Sequence, residues 1–242
     1  MSKTAFIPAA GLGTRLAPLT DTCPKALVCY GGKPLLYHVI MKLKATGYDR
    51  FVVNVHHFAE KIIDYCSSEA DFNDVTILIS DERDCLMDTG GGILKAEHLL
   101  RGCGEFLVHN VDIVSEGLDY NSLSLPKGCL ASLLMSARLS SSGLFFDENN
   151  LLRGWKNFKT NETKGLLTSS YAAFDGISIM SEKIFERMND YCSGKPVPFS
   201  VIDFYLSICS HENIHCDVRN DISITDIGKI ENLQALISPS SV

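Results

Sequence analysis

Ala5-Phe6-Ile7-Pro8-Ala9-Ala10-Gly11-Leu12-Gly13-Thr14-Arg15-Leu16-Ala17-Pro18-Leu19-Thr20 is the stretch on which the fold turns. Ala5-Phe6-Ile7 reads as a short buried strand. The glycines that follow at 11 and 13 let backbone N–H groups approach a ligand with no Cβ in the way. Open α/β sheets bind ligands at the carboxyl ends of their strands, so a nucleotide is the natural guest of this loop. It is not a dinucleotide fingerprint, because Leu16 stands at the third glycine position and Pro18 interrupts the helix that should begin there. No Gly-Lys-Ser/Thr follows, which excludes a Walker loop. Taken alone, Gly-x-Gly is equally an ordinary structural turn.

Outward from the loop, short apolar runs alternate with amphipathic stretches, the pattern of βαβ units around a mostly parallel sheet. Pro34 precedes Leu35, Leu36, Val39, Ile40 and Leu43 at helical spacing, and Gly47 ends the run, predicting a helix over about 34–46. Phe51–Val55 predicts a second strand, Ala59–Tyr65 a helix, Val75–Ile79 a third strand, and Phe106–Val108 a fourth. Between the last two, Gly90, Gly91 and Gly92 open a helix through Ile93, Leu94, Ala96, Leu99 and Leu100. On this reading the core of the sheet is complete by Asp112. Beyond residue 125 hairpin-like strands (129–137, 143–146, 151–155, 177–180) predict an antiparallel annex, followed by helices near 181–191 and 200–210, a strand near 214–218 and a closing helix. With no internal repeat or linker, the expectation is one domain over 1–242: a nucleotide-binding part to about 125, a smaller lobe over about 126–220 and a closing segment over 221–242.

Composition narrows the function. The chain has 242 residues and a net charge of −7, which argues against nucleic acid as a partner. No run reaches the roughly 18–20 apolar residues of a membrane span, and glycine and arginine come too early for a signal-peptide core, so a cytoplasmic protein with no membrane partner is expected. Nine cysteines at scattered spacing, with no C-x-x-C pair, read as reduced and mostly buried thiols.

Arg15 and Lys25 add chemistry to the loop. A triphosphate carries roughly four negative charges, and transfer at its α-phosphorus needs cations on the leaving pyrophosphate and on the five-coordinate phosphorus. Arg15 offers a bidentate fork and Lys25 a point charge. Asp112 lies just past the buried strand 106–108 and Asp226 just past the run Ile222-Ser223-Ile224-Thr225, so both can reach one sheet edge. Mg²⁺ held by one or two carboxylates plus phosphate oxygens is its normal habit. Asp226 also suits the cap of a helix starting near Gly228.

The run Ala9–Leu16, with Pro18, Thr20, Pro24-Lys25 and Lys33-Pro34-Leu35-Leu36, resembles the signature of the sugar-1-phosphate nucleotidyltransferases, or nucleotide-sugar pyrophosphorylases. Asp88-Thr89-Gly90-Gly91-Gly92-Ile93, Asn110-Val111-Asp112 and Asp226-Ile227-Gly228 follow in that family's order. The short length and the Thr-Gly-Gly-Gly-Ile stretch look most like the N-acetylmuramate-1-phosphate uridylyltransferase type. The resemblance implies a nucleotide-diphospho-sugar transferase fold, with a Rossmann-like mixed sheet flanked by helices and a small antiparallel sugar-binding lobe. It implies NTP and sugar 1-phosphate as partners and Mg²⁺ as cofactor, shared by Asp112 and Asp226. Ala9, Ala10, Gly11, Gly13, Thr14 and Arg15 should wrap the nucleotide, Lys25 should contact the α-phosphate, and Thr89, Gly90 and Gly91 should receive base and ribose against exposed backbone. For the sugar phosphate it points to Asn110, Asp175 and Gly176, with Trp155 and Lys156 as candidates for a sugar face and a phosphate. Asp175, unable to face phosphate, should accept sugar hydroxyls.

Two departures are visible. The family usually has Gly-Asp where this chain has Val111-Asp112, and often Lys-Pro where it has Lys25-Ala26. UTP with an N-acetylated sugar 1-phosphate is expected. The alternatives are GTP with mannose or heptose 1-phosphate, a phosphocholine-type cytidylyltransferase, and a nucleotide-sugar sensor without turnover. The missing carboxyl-terminal β-helix of other members tilts the expectation toward a monomer or small homo-oligomer.

Overall fold

The computed structural model describes residues 2–194, 197–228 and 230–237. β1 (Lys3–Pro8) leads through short 3-10 turns to the two-residue strands β2 (Cys29–Tyr30) and β3 (Lys33–Pro34). Then follow α1 (Leu35–Lys44), β4 (Tyr48–Val55), α2 (Ala59–Ser68), β5 (Thr76–Asp81), α3 (Asp88–Lys95), α4 (Glu97–Leu100), β6 (Glu105–His109) and β7 (Ile113–Glu116). The second half contains β8 (Cys129–Ser136), β9 (Ser142–Phe146), β10 (Leu152–Asn157), β11 (Thr163–Gly165) and β12 (Ser170–Ser181). α5 (Ile184–Tyr191), α6 (Val201–Ile208), β13 (Asn213–Val218), β14 (Ser223–Asp226) and α7 (Ile230–Ile237) complete it.

The order β11-β10-β9-β12-β6-β1-β4-β5 runs across one sheet, with β8 paired to β12 and β13 to β8. β6, β1, β4 and β5 are mutually parallel. Their near-continuous apolar sequences follow from burial on both faces. Ala5, Ile7, Phe51 and Val53 face a core shared with α1 and α2, whereas Phe6, Val52, Phe106 and Val108 face the opposite core with α3, α5 and α6. In α1 the residues that set the helical period, Leu35, Leu36, Val39, Ile40 and Leu43, are the buried ones. The expected fold class, a mixed and mostly parallel sheet between helices with antiparallel strands beside it, is the fold observed.

The sheet core does not end at Asp112. β12 lies antiparallel against β6, Ile177 opposite His109, and its amino-terminal part pairs with β9, so the predicted strand 177–180 is one end of a 12-residue strand. Alternation reveals that a strand exists, not its neighbour. The helix expected after the three glycines starts before them, at Asp88, and breaks at Ala96 into α3 and α4. Among the described residues no helix is long and apolar enough to cross a membrane.

Candidate active site

Three carboxyl-terminal strand ends build the site. β1 runs into the Ala9–Gly13 loop, where Gly13 is left-handed (φ 68°) and a Cβ would lie 2.8 Å from Thr20 Cγ2 and 2.9 Å from Lys25 Cβ. Only glycine permits that packing. It seats the 3-10 turn Lys25–Leu27 against the loop, and Thr20 Oγ1 donates to Gly13 O (3.0 Å). β6 runs into the turn Asn110–Ile113, closed by Ile113 N–H to Asn110 O (3.2 Å) and tied to β12 by Asn110 N–H to Gly176 O (2.9 Å). β14 pairs with β7, Asp226 opposite Ile113, and Ile227 N–H donates to Asp112 O (2.9 Å).

These ties bring Asp112 and Asp226 together. A Cβ on Gly228 would sit 2.5 Å from Asp112 Oδ2, 2.9 Å from Asp226 Oδ1 and 3.2 Å from Arg15 Nη2, so three charged side chains close around one point. Lys25 Nζ pairs with Asp112 Oδ2. Asp226 Oδ1 also accepts from Gly228 N–H (2.9 Å), a local turn contact and not the expected helix cap, because α7 starts only at Ile230. Arg15 is exposed and makes no ion pair among the described residues. Two hard carboxylates suit a Mg²⁺ ion that takes its remaining ligands from water and phosphate oxygens. Among the described residues no third His, Cys, Asp or Glu joins them, so the pair would leave such an ion open to substrate.

Two cavities meet here. The first, about 430 Å³, is lined by Ala9, Ala10, Gly11, Lys25, Asn54 and Thr89 among others. The second, about 260 Å³, is lined by Arg138, Ser140, Ser142, Trp155, Gly176 and Asp226 among others. Arg15, Asn110 and Asp112 line both. Of the residues singled out in the sequence, Ala9, Ala10, Gly11, Lys25 and Thr89 line the first cavity, Trp155, Gly176 and Asp226 the second, and Arg15, Asn110 and Asp112 both.

Several expected contacts take a different form. The Ala9 and Ala10 N–H groups donate to Asn54 Oδ1 (2.6 and 3.2 Å), so these two amides are taken up inside the protein. Thr14 is exposed and lines neither cavity. The Gly90 and Gly91 N–H groups donate to Phe199 O (2.9 and 3.3 Å). The Phe199 ring and Val197 O fill the space their side chains would need, so the two glycines pack against protein rather than a base. Thr89 lines the first cavity, but its Oγ1 accepts from Val201 N–H (3.1 Å) at the start of α6. Glu82, in the charged run Asp81-Glu82-Arg83-Asp84, is fully buried.

In the second cavity, Trp155 is half-buried with the Lys164 ammonium 5.3 Å from its ring centroid. Lys156, its neighbour on a strand whose successive side chains alternate faces, is not among the lining residues. Asp175 is also absent from the lining. It is fully buried, Oδ1 accepting from Ser136 Oγ (3.0 Å) and Arg138 Nε (2.6 Å). Burial pushes its carboxyl above the ordinary range, against the pull of Arg138 and Ser136. Arg138, which sequence reasoning missed, is a second cation lining this cavity besides Arg15. Gly176 does line it, at φ 71°, and a Cβ there would meet Asn110 Nδ2 at 2.7 Å. His109 is enclosed between Asn110 O and the Tyr120 hydroxyl, and burial pushes its imidazole down to about 4. It is therefore neutral at neutral pH.

The sequence profile of the nucleotidyl transferase family matches residues 4–124. An N-acetylmuramate alpha-1-phosphate uridylyltransferase of Caulobacter vibrioides is 45% identical over 113 residues, 46% of this chain and 46% of that protein. Mannose-1-phosphate guanylyltransferase 1 of Arabidopsis thaliana is 37% identical over 113 residues, 46% of this chain and 31% of that protein. Each alignment thus spans less than half of the relative. HddC from Yersinia pseudotuberculosis, solved with GMP-PN, superposes with a TM-score of 0.72 at 23% identity, covering 97% of this chain and 98% of that one. That likeness is one of fold.

Proposed function

The chain belongs to the nucleotidyl transferase family, and from that premise we propose that it is a sugar-1-phosphate nucleotidyltransferase. The phosphate oxygen of a sugar 1-phosphate attacks the α-phosphorus of an NTP, the bond to the β-phosphate oxygen breaks, and NDP-sugar and pyrophosphate leave. The observation behind this reading is the junction: two cavities that share Arg15, Asn110 and Asp112. A group passed from one substrate to another must cross such a shared edge.

In this arrangement the NTP occupies the first cavity with its triphosphate turned toward Gly11 and Arg15. The sugar 1-phosphate occupies the second, its ring along Trp155 and its far side toward Arg138. Arg15 grips the departing pyrophosphate through its guanidinium fork. Lys25, held over the junction by Asp112, compensates charge on the α-phosphate. Asp112 and Asp226 would hold Mg²⁺, which supplies further charge compensation on phosphate oxygens when bound. Asn110, braced by Gly176, donates from its side-chain amide to the acceptor phosphate. No general base is needed because the nucleophile is already ionised, in keeping with a His109 buried away from both cavities. Rate then comes from orientation and charge compensation.

UTP with an N-acetylated sugar 1-phosphate is the first pair to test. GTP with mannose or heptose 1-phosphate and CTP with phosphocholine are the competing arms. The experiment is a matrix of four NTPs against a panel of sugar 1-phosphates and phosphocholine, scored by Mg²⁺-dependent pyrophosphate release. At least one sugar 1-phosphate should turn over. Asp112→Ala should lower kcat on that pair by about a hundredfold or more while moving the KM for the sugar phosphate far less. Tight NTP binding with no pyrophosphate released from any pair would refute the reading and favour a sensor.

A further inference from the structure

In the wall of the first cavity lies a set of buried polar contacts that the reaction does not use directly. Asn54, at the end of β4 and in register with Pro8, accepts from the Ala9 and Ala10 N–H groups through Oδ1. Its Nδ2 donates to Glu82 Oε1 (2.6 Å), and Glu82 Oε2 accepts from Met87 N–H (3.2 Å). Asn54 is 3% exposed and Glu82 0%. A Cβ on Gly92 would fall 2.7 Å from Glu82 Oε1 and 2.8 Å from Asn54 Nδ2, so α3 leaves out a side chain where the pair sits. The segment leaving β1, the end of β4 and the turn between β5 and α3 are thereby joined through two side chains.

The chemistry of the pair is directional. An ionised carboxylate only accepts hydrogen bonds, whereas an amide has one donating and one accepting end. With Glu82 on one side, Asn54 must turn Nδ2 toward it and Oδ1 toward the loop. Volume alone does not explain this choice, because an apolar pair would fill the space without burying a charge. We propose that Glu82 and Asn54 form a buried strut that sets the Ala9–Ala10 backbone for nucleotide binding, making both positioning residues for the NTP. The inference rests on reading the first cavity as the NTP site. It places Asn54 in the wall on the base side and leaves phosphate contacts to the loop from Gly11 onward.

The test exploits the directionality. In Glu82→Gln the single amide oxygen can serve Asn54 Nδ2 or Met87 N–H but not both. In the double variant Glu82→Gln/Asn54→Asp every hydrogen bond can be remade. The new amide at position 82 donates through its N–H₂ to one oxygen of the new carboxylate at position 54. The other carboxylate oxygen accepts from Ala9 and Ala10, and the amide oxygen at position 82 accepts from Met87. Asn54→Ala removes the link to the loop and also takes the donor from Glu82 Oε1. KM values for NTP and sugar 1-phosphate are measured on the active pair, and the exchange of the Ala9 and Ala10 amide protons is followed by NMR. Thermal melts check folding.

Glu82→Gln and Asn54→Ala should each raise the KM for NTP about tenfold or more, leave that for sugar phosphate within about twofold, and speed exchange at Ala9 and Ala10. The double variant should return NTP KM and exchange to within about threefold of wild type. A folded double variant no better than Glu82→Gln would overturn the proposal, as would single variants with unchanged NTP KM and exchange. If Glu82→Gln does not fold, Asn54→Ala and the double variant decide by the same criteria. If wild type turns over no pair, the functional reading fails, whereas amide exchange and NTP binding still judge the strut.

Discussion

Gly228→Ala places one methyl group where Asp112 and Asp226 converge. Gly228 is not in the left-handed region, so alanine meets no backbone strain there. Its Cβ would stand 2.5 Å from Asp112 Oδ2 and 2.9 Å from Asp226 Oδ1. Ordinary carbon–oxygen contact begins near 3.4 Å, so the carboxylates must retreat by about 0.9 and 0.5 Å to relieve the overlap. Mg²⁺ demands near-ideal geometry with bonds of about 2.0–2.1 Å, and a misplacement of about 1 Å at a reacting centre costs on the order of a hundredfold in rate. The expected outcome is a kcat about a hundredfold lower, with a higher Mg²⁺ concentration needed for half-maximal rate. Folding should suffer modestly, by about 1–3 kcal/mol, which for a chain of this size lowers Tm by less than about 10 °C. Pyrophosphate release across a Mg²⁺ titration, with a thermal melt on the same sample, measures both. A folded Gly228→Ala variant with wild-type kcat and Mg²⁺ dependence would show that the two carboxylates do not act as a pair.

Gly90→Ala should lower Tm by several degrees, because the new methyl enters the Phe199 ring; an unchanged Tm with a raised NTP KM would instead restore the glycine to base recognition. Arg138→Ala should raise the KM for sugar phosphate and not that for NTP. It also strips Asp175 of an opposing pull on its raised carboxyl. A carboxyl raised in the folded state gives stability that is present below its unfolded pKa and lost as pH rises through the folded value. The Tm gap between Arg138→Ala and wild type should therefore widen from pH 4 to pH 7, and a constant gap would contradict this. His109 shows the opposite sign: its folded pKa is depressed from 6.5 to about 4, so stability present above 6.5 is lost as pH falls toward 4, by about 3 kcal/mol in all. Urea unfolding of His109→Gln across that range should be flatter than wild type.

What the sequence made legible was local. Gly13, Arg15 and Lys25 lie within 13 consecutive residues of one connection, and the strand before it has an unmistakable apolar run. Asp112 and Asp226 stand 114 positions apart; Asp112 lies in the turn after β6 of the main sheet, whereas Asp226 ends β14 and reaches it through a separate two-stranded sheet with β7, a pairing no local pattern announces. Residues whose role depends on a distant partner were misread. Asp175 is an acidic residue beside a glycine until Arg138, 37 positions away, is seen to hold it. Glu82 lies among Asp81, Arg83 and Asp84, and that polar context conceals its burial; only Asn54, 28 positions earlier, accounts for it. Gly90 and Gly91 show the converse. Missing side chains signal a close approach, but their pattern does not say whether a ligand or residue 199 approaches.

The placement of β12 explains why the two cavities can act as one. Its carboxyl-terminal half hydrogen-bonds to β6, whose exit turn contains Asn110 and Asp112, while its amino-terminal half pairs with β9 on the side of Trp155. Between these halves lie Phe174, whose carbonyl accepts from Arg138 (2.7 Å), and Gly176, against which Asn110 packs. The segment that shapes the second cavity is thus hydrogen-bonded into the strand beside the junction, not hung from it by a linker. Arg138, just past β8, and Asp112, in the turn after β6, are thus both fixed against one stretch of β12, the first through Phe174 O and the second through Asn110 N–H to Gly176 O.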